Sequence, residues 1–572
     1  MFSSPPMSAL SSPSRVAFVA LAVSLVVPSM ARANPEPSLM YGARGMAMGG
    51  TGTAYLDTPA GMLKNPANLA FAPSRTHLEL SITNMLVSLT ASFSGPGREQ
   101  TQHIFVPLPF FGATFGLSRR LTVGAAFYVS MGFGGSFDGV ERFGTGTPCL
   151  SSLSDAITTG NVFQGQPAIS IDEQARNADY CPSTPHDESV TLAIFELAIP
   201  FSIRILDNLS LGLSLRLPYG ILKQSTTQEA LGALYPPDNP QGTFGLGYAV
   251  AQSNMSGFGL PGVLFGVNYR PHRNVALGFS YRSKTRVDFS GTTNLDLNSN
   301  ELIGGLVQRF GSLPIGWLGQ TGLLDGIEGL SIPQGATVAS LVHDITHDIP
   351  SKATWYIPHA FDFGVAWWLL ERRLMLTAGA RVQLHKEANK GLTIHLDDPL
   401  IQSMGLGAMT QPFDWKNVFG WQLGAEYQVS RPVSLRLGMS GSNSATPSYT
   451  ATQFGVAPGY QLGYYAGAGL RLGHFLLDLV VAYGAGTHPY TIPQQTDANG
   501  SLVYQPTCRP GQPIKTGCPG TYGSGTWFFG LSFTYRAPVR QASAPARSAT
   551  ASPSSGPESP TPASRRSSRS RG

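Results

Sequence analysis

Apolar and polar residues alternate along most of this chain. Val275, Leu277, Phe279, Tyr281, Val287 and Phe289 share one parity; Ala276, Gly278, Ser280, Arg282, Lys284, Arg286 and Asp288 share the other. Successive strand side chains point to opposite faces, so the spacing predicts a strand with one apolar face and one charged face. A helix would scatter those charges at a period of 3.6. The same test marks Leu209 to Leu217, Leu374 to Leu384 and Trp527 to Tyr535. Fourteen such segments begin near residues 76, 105, 121, 189, 208, 256, 274, 353, 373, 416, 432, 460, 474 and 525. Tight connections such as Ser118-Arg-Arg120, Leu206-Asp-Asn208 and Arg270-Pro-His-Arg273 alternate with long ones at about 134–188, 226–255, 294–352, 389–415 and 487–524. Short turns at one end and long loops at the other are the pattern of an outer-membrane barrel. The expected fold is all-β: a 14-stranded antiparallel transmembrane β-barrel, with both termini periplasmic. A soluble β-sandwich is the alternative; apolar outer faces on every strand oppose it.

Composition agrees. Only 12% of residues are charged, against about 25% in soluble domains. With 66 glycines and 10% aromatics, the bulk is not a disordered chain. No apolar run reaches the 18 or so residues of a membrane helix. The longest, Val16 to Val27, follows Arg15 and precedes Ala31-Arg-Ala33, which predicts a secretory signal peptide over 1–33. The alternative, an N-terminal anchor, needs a longer run. Residues 537–572, rich in Pro, Ser, Ala and Arg, form a disordered tail; Arg565, Arg566, Arg569 and Arg571 would either be solvated or touch an anionic polymer or lipid. The formal charge of +5 comes from these two ends, so no nucleic-acid partner is expected. Cys149 with Cys181 and Cys508 with Cys518 fit two loop disulfides in an exported protein, although spacing leaves the connectivity open.

Residues 34–75 precede the first strand. They are glycine-rich and almost uncharged, from Tyr41 through Asp57 to Lys64-Asn65-Pro66-Ala67-Asn68-Leu69, and fit a hatch, or plug, inside the barrel of residues 76–536. The stretch ending in Asn65-Pro66-Ala67 resembles the outer-membrane long-chain fatty acid and toluene transporter family (FadL-like). So do Gly278-Phe-Ser-Tyr281-Arg282-Ser283-Lys284, Trp415-Lys416-Asn417 leading to Leu423-Gly424-Ala425-Glu426-Tyr427, and Arg436-Leu-Gly438 before Ala445-Thr-Pro447. The resemblance covers roughly residues 40–536. It implies a barrel closed by the hatch that takes up hydrophobic molecules passively. Ligand would settle in a groove between outer loops, pass to a site beside the hatch and leave sideways at a kinked strand.

The residues supply candidates for each step. In the loop 294–352, Leu306, Phe310, Trp317, Leu323 and Leu324 would line an apolar groove or simply pack the loop. The loop 226–255, with Leu231, Leu234 and Tyr235, would form the other wall. Parity turns Arg216, Arg282, Lys284, Arg286 and Arg381 into the lumen. There they would meet an acidic head group or pair with Asp288, Asp362, Glu426 and Asp478. Gly132, Gly134 and Gly135 would kink a strand at a lateral gate or serve a tight outer turn. No catalytic constellation, metal site or cofactor motif is found; His343 and His347 share a helical face without a third ligand. The expected partners are a hydrophobic small molecule such as a fatty acid, or an aromatic hydrocarbon, and outer-membrane lipid. A monomer is expected. A general porin and an enzyme acting on lipid are the competing functions.

Overall fold

The computed structural model describes residues 41–71, 76–93, 99–140, 186–233, 243–296, 312, 314, 335–337, 339–340, 343, 346–398, 401–402, 407–447, 454, 457–486, 490–492 and 520–537. The signal segment, the tail beyond 537, all four cysteines and the loop residues Leu306, Phe310, Trp317, Leu323 and Leu324 lie outside them.

Twenty strand segments form one antiparallel sheet. They are β1 (Thr76–Ser92), β2 (Glu99–Gly116), β3 (Leu121–Val140), β4 (His186–Leu206), β5 (Leu209–Ala233), β6 (Thr243–Phe258) and β7 (Gly262–His272). Then come β8 (Val275–Arg282), β9 (Thr285–Asp296), β10 (Ile349–Ile357), β11 (Ala360–Leu369), β12 (Leu374–Gln383), β13 (Gly391–Leu396) and β14 (Ala408–Pro412). The last are β15 (Val418–Gln428), β16 (Val433–Asn443), β17 (Tyr460–Leu472), β18 (Phe475–Gly486), β19 (Tyr490–Ile492) and β20 (Gly520–Arg536). Each pair β6–β7, β8–β9, β10–β11, β12–β13 and β14–β15 makes one long strand, and β19 extends the β18–β20 hairpin. The result is a closed barrel of fourteen strands, sealed where β20 pairs β1. The loops expected at 226–255 and 389–415 are partly ladder, because β5 pairs β6 out to Ala233↔Thr243 and β13 pairs β14.

Near the turns the outer face is apolar. Leu80 is 62% exposed, Phe111 50% and Leu437 66%. Farther up, five adjacent long strands are broken at one level: at 259–261, 283–284, 358–359, 384–390 and 413–417. Each break reverses which parity faces inward. Below it, Ser280 and Arg282 are buried and Leu277 is exposed; above it, Val287 and Phe289 are buried and Arg286 and Asp288 are exposed. The expected inward placement of Arg286 and Asp288 is therefore overturned above Ser283: they pair with each other at 3.1 Å on the outer face. Strand β3 reverses too, through a bulge between Val129 and Met131. Strand β1 reaches the same end without reversing. Its inward face runs His77, Glu79, Ser81, Thr83 and then Met85, Val87, Leu89, Ala91, all buried. The lumen is thus polar in its turn-side half and apolar in its loop-side half.

Candidate functional site

Residues 41–71 fill the polar half. They form a short helix α1 (Ala43–Ala47) and two 3-10 turns, Pro59–Leu63 and Pro66–Phe71. Buried backbone groups need partners, and the wall supplies them. Ser280 Oγ donates to the Lys64 carbonyl at 2.6 Å, Ser210 Oγ to the Ala67 carbonyl at 2.8 Å, and Ser532 Oγ accepts from the Ala43 N–H at 2.6 Å. Within the Asn65-Pro66-Ala67 motif, Asn65 Nδ2 donates to the carbonyls of Thr53 and Val267 at 2.8 and 2.9 Å. Its Oδ1 accepts from the Ala67 N–H. The Asn65 side chain therefore pins the segment to itself and to β7. Gly212 and Gly438 lie where the segment passes closest; a Cβ on either would run into its backbone at Pro66–Ala67 or Met48–Gly49.

Charge fixes the segment as well. Arg44 donates twice to Glu426 of β15, both at 2.8 Å, and also pairs with Asp57. Glu426 is shared with Arg436 at 2.6 Å, Arg436 reaches Asp478 at 2.6 Å, and Asp57 meets Arg536 at 3.2 Å.

Above the segment the lumen is apolar. Phe133, Trp355, Phe413 and Trp415 are all buried, with ring centroids 5.2–6.1 Å apart. The strand breaks bring them there: Phe133 follows the β3 bulge, and Phe413 and Trp415 sit in the β14–β15 link. At the foot of this chamber, Glu196 accepts from Arg216 at 2.9 and 2.5 Å, from Arg282 at 2.9 Å and from the Tyr128 hydroxyl at 2.5 Å. Arg216 Nη1, fully buried, has no hydrogen-bond partner among the described residues.

The inward cations thus divide. Arg216 and Arg282 come together at the chamber floor. Arg381 pairs with Asp362 at 3.6 Å in the wall. Lys284, expected to point inward, lies in the break: its Nζ donates to the Glu387 carbonyl at 3.1 Å and stands 4.5 Å from the Tyr356 ring centre. Of the expected loop wall, Leu231 belongs to β5, opposite Gly245; Leu234 and Tyr235 are outside the described residues. His343 and His347 lie with ring centroids 4.0 Å apart and planes tilted by 32°, and no cluster able to hold a metal occurs among the described residues.

One seam of the wall is incomplete. Strand β1 pairs β2 without interruption from Thr76↔Phe115 to Ser92↔Glu99. Strand β2 pairs β3 only from Gly116↔Thr122 to Phe110↔Tyr128. The next residues of β2 include Pro107 and Pro109, which have no N–H. Residues two apart direct their N–H groups to the same edge. Since the β1 ladder runs unbroken past both prolines, the missing donors belong to the edge facing β3. Gly132, Gly134 and Gly135 lie in the stretch of β3 that pairs β4 alone. Gly134 has φ 151°, and a Cβ there would strike the Val190 carbonyl. The strand continues to Val140, so these glycines do not form a turn. Sequence reasoning overlooked Pro107 and Pro109, although prolines inside an alternating segment signal a missing ladder edge. It also overlooked the chamber aromatics Phe133, Trp355 and Phe413.

A model of the family described as outer membrane protein transport protein (OMPP1/FadL/TodX) matches residues 174–535. Among solved structures, a Pseudomonas aeruginosa FadL homologue superposes with a TM-score of 0.59 at 16% identity, covering 89% of this chain and 99% of that one. The Pseudomonas putida toluene transporter TodX gives 0.54 at 14% identity, covering 89% and 99%. The Ralstonia pickettii toluene transporter TbuX gives 0.50 at 14%, covering 87% and 98%. No curated protein sequence matches the chain.

Proposed function

This chain belongs to the OMPP1/FadL/TodX family of outer-membrane transport proteins, which are channels and not enzymes, and from that premise we propose that it carries hydrophobic small molecules inward by a lateral route. The observation that carries the reading is the division of the lumen. An apolar chamber around Phe133, Trp355 and Trp415 stands on a floor closed by the segment 41–71, so a ligand entering from the loops has no straight path through. The unpaired β2–β3 seam opens beside that chamber, and Gly132, Gly134 and Gly135 line its β3 edge. A hydrophobic ligand leaving there would pass from apolar side chains into lipid without crossing water, the favourable direction for apolar surface. The turn end, with both ends of the barrel, faces the periplasm, and the protein acts as a monomer.

Within the substrate class we favour a long-chain fatty acid. Arg216 and Arg282 both bond the Glu196 carboxylate at the chamber floor, and the buried Nη1 of Arg216 would donate to an acidic head group. An aromatic hydrocarbon would use the same rings and leave the guanidiniums untouched. Leu306, Phe310, Trp317, Leu323 and Leu324 would form the first landing groove. The test is uptake of labelled oleate against toluene in a strain lacking its own transporter. Oleate uptake that falls on Arg216→Gln supports the reading. Uptake of toluene alone replaces the substrate, and steady ionic conductance with uptake of neither replaces the function with that of a porin.

A further inference from the structure

We infer that Tyr41, the first described residue of the hatch, is a positioning residue that clasps β3 at the foot of the open seam and so couples hatch position to lateral exit. The inference rests on the lateral route proposed above. The Tyr41 hydroxyl donates to the Val129 carbonyl at 2.7 Å and accepts from the Val129 N–H at 3.1 Å. Both groups of one strand residue point to the same edge. The last β2–β3 pair is Phe110↔Tyr128, so continued register would place Pro109 opposite Val129. Proline can accept there but cannot donate. One phenol oxygen does both, and takes the place of the absent ladder partner. The Tyr41 ring packs against the two residues that end the ladder, 5.7 Å from Phe110 and 5.6 Å from Tyr128. Immediately above, β3 bulges between Val129 and Met131. The hatch therefore terminates the β2–β3 ladder with its own side chain, and a hatch that moved would release the edge of β3 where the wall is open.

Tyr41→Phe keeps the ring and removes both hydrogen bonds. In the purified full-length protein the Val129 amide should exchange about tenfold faster, the effect of losing bonds of ordinary strength. Equilibrium retention of labelled oleate by the purified variant should match wild type, while oleate uptake by cells producing it rises severalfold, because the β3 edge is released without hatch movement; a fall in uptake overturns the inference. A merely structural residue would lower retention and uptake together, and that result overturns the inference. So does unchanged exchange at Val129, or faster exchange with unchanged uptake. If the wild-type protein takes up neither oleate nor toluene, the proposed function fails on its own; the exchange measurement then judges the clasp alone, a rise upholding it and no rise overturning it.

Discussion

Arg44 ties the hatch to the wall by charge, holding Glu426 of β15 with two bonds and pairing with Asp57 within the hatch. A buried pair adds little over apolar packing, but removing one partner strands the other and costs about 3–5 kcal/mol. Arg44→Ala should therefore loosen the hatch while the barrel stays closed. Limited proteolysis in detergent should cut within 41–71 well before any strand, and equal protection would refute this. Asp57 adds a pH dependence. Burial alone would raise its pKa, but the neighbouring Arg44 and Arg536 guanidiniums hold the carboxyl well below the usual range. A lowered folded-state value means its contribution is complete above the unfolded value of roughly 4 and is lost as pH falls through the folded one. The difference in hatch amide protection between wild type and Asp57→Asn should be constant from about pH 8 to pH 5 and shrink in stronger acid. A difference that vanishes between pH 7 and pH 5 would count against the assignment. Parity alone revealed that Arg216, Arg282 and Arg381 point inward. Their partners were hidden, because Arg282 and Glu196 are 86 residues apart and Arg44 and Glu426 are 382 apart. Only strand register brings such residues together.

At the scale of strands, the alternation that made the barrel legible also concealed its main irregularity. Val275, Leu277, Phe279 and Tyr281 share their parity with Val287 and Phe289. The first group belongs to the outer face and the second to the lumen, because two residues at 283–284 leave the ladder between them. Phe361, Phe363, Val365 and Trp367 relate to Ala353, Trp355 and Ile357 in the same way across 358–359. The sequence keeps one parity apolar throughout while its surroundings exchange: lipid outside below the break, the chamber inside above it. Periodicity measures parity and not direction, so no pattern count could detect the reversal. Leu277→Arg and Phe289→Arg separate the two environments. Leu277→Arg should impair barrel assembly, since an arginine on the lipid face costs about 2–4 kcal/mol near the midplane. Phe289→Arg should assemble normally, read by heat-modifiable gel mobility, but lose retention of labelled oleate. Equal assembly defects would show that both residues face lipid. Pro109→Thr restores an N–H on the β3-facing edge; it should lengthen the β2–β3 ladder and slow uptake while leaving retention intact. Faster or unchanged uptake would dissociate the seam from transport.

For the whole molecule, the proposed transport gives the segment 41–71 a task set by the two halves of the lumen. Its turn-side half is lined by Glu79, Glu426, Arg436, Asp362, Arg381 and Asp478, together with serines that bond the hatch backbone. Emptied, that half would be a wide polar pore, because the interior of a barrel larger than about eight strands is not filled by wall side chains. Filled, it is a dense polar contact, and among the described residues the chamber above it is apolar. On the proposed route, specificity for hydrophobic molecules would arise from what blocks the polar half as much as from what lines the apolar one. Deleting residues 41–71 should convert the protein into an ion-conducting channel in planar bilayers, with steady current where the intact chain gives none. It should also let in small polar solutes, read as sensitivity of whole cells to hydrophilic antibiotics. Deletion without conductance would mean that the loops or the chamber aromatics close the barrel by themselves. The hatch would then serve to shape the ligand path and not to seal it.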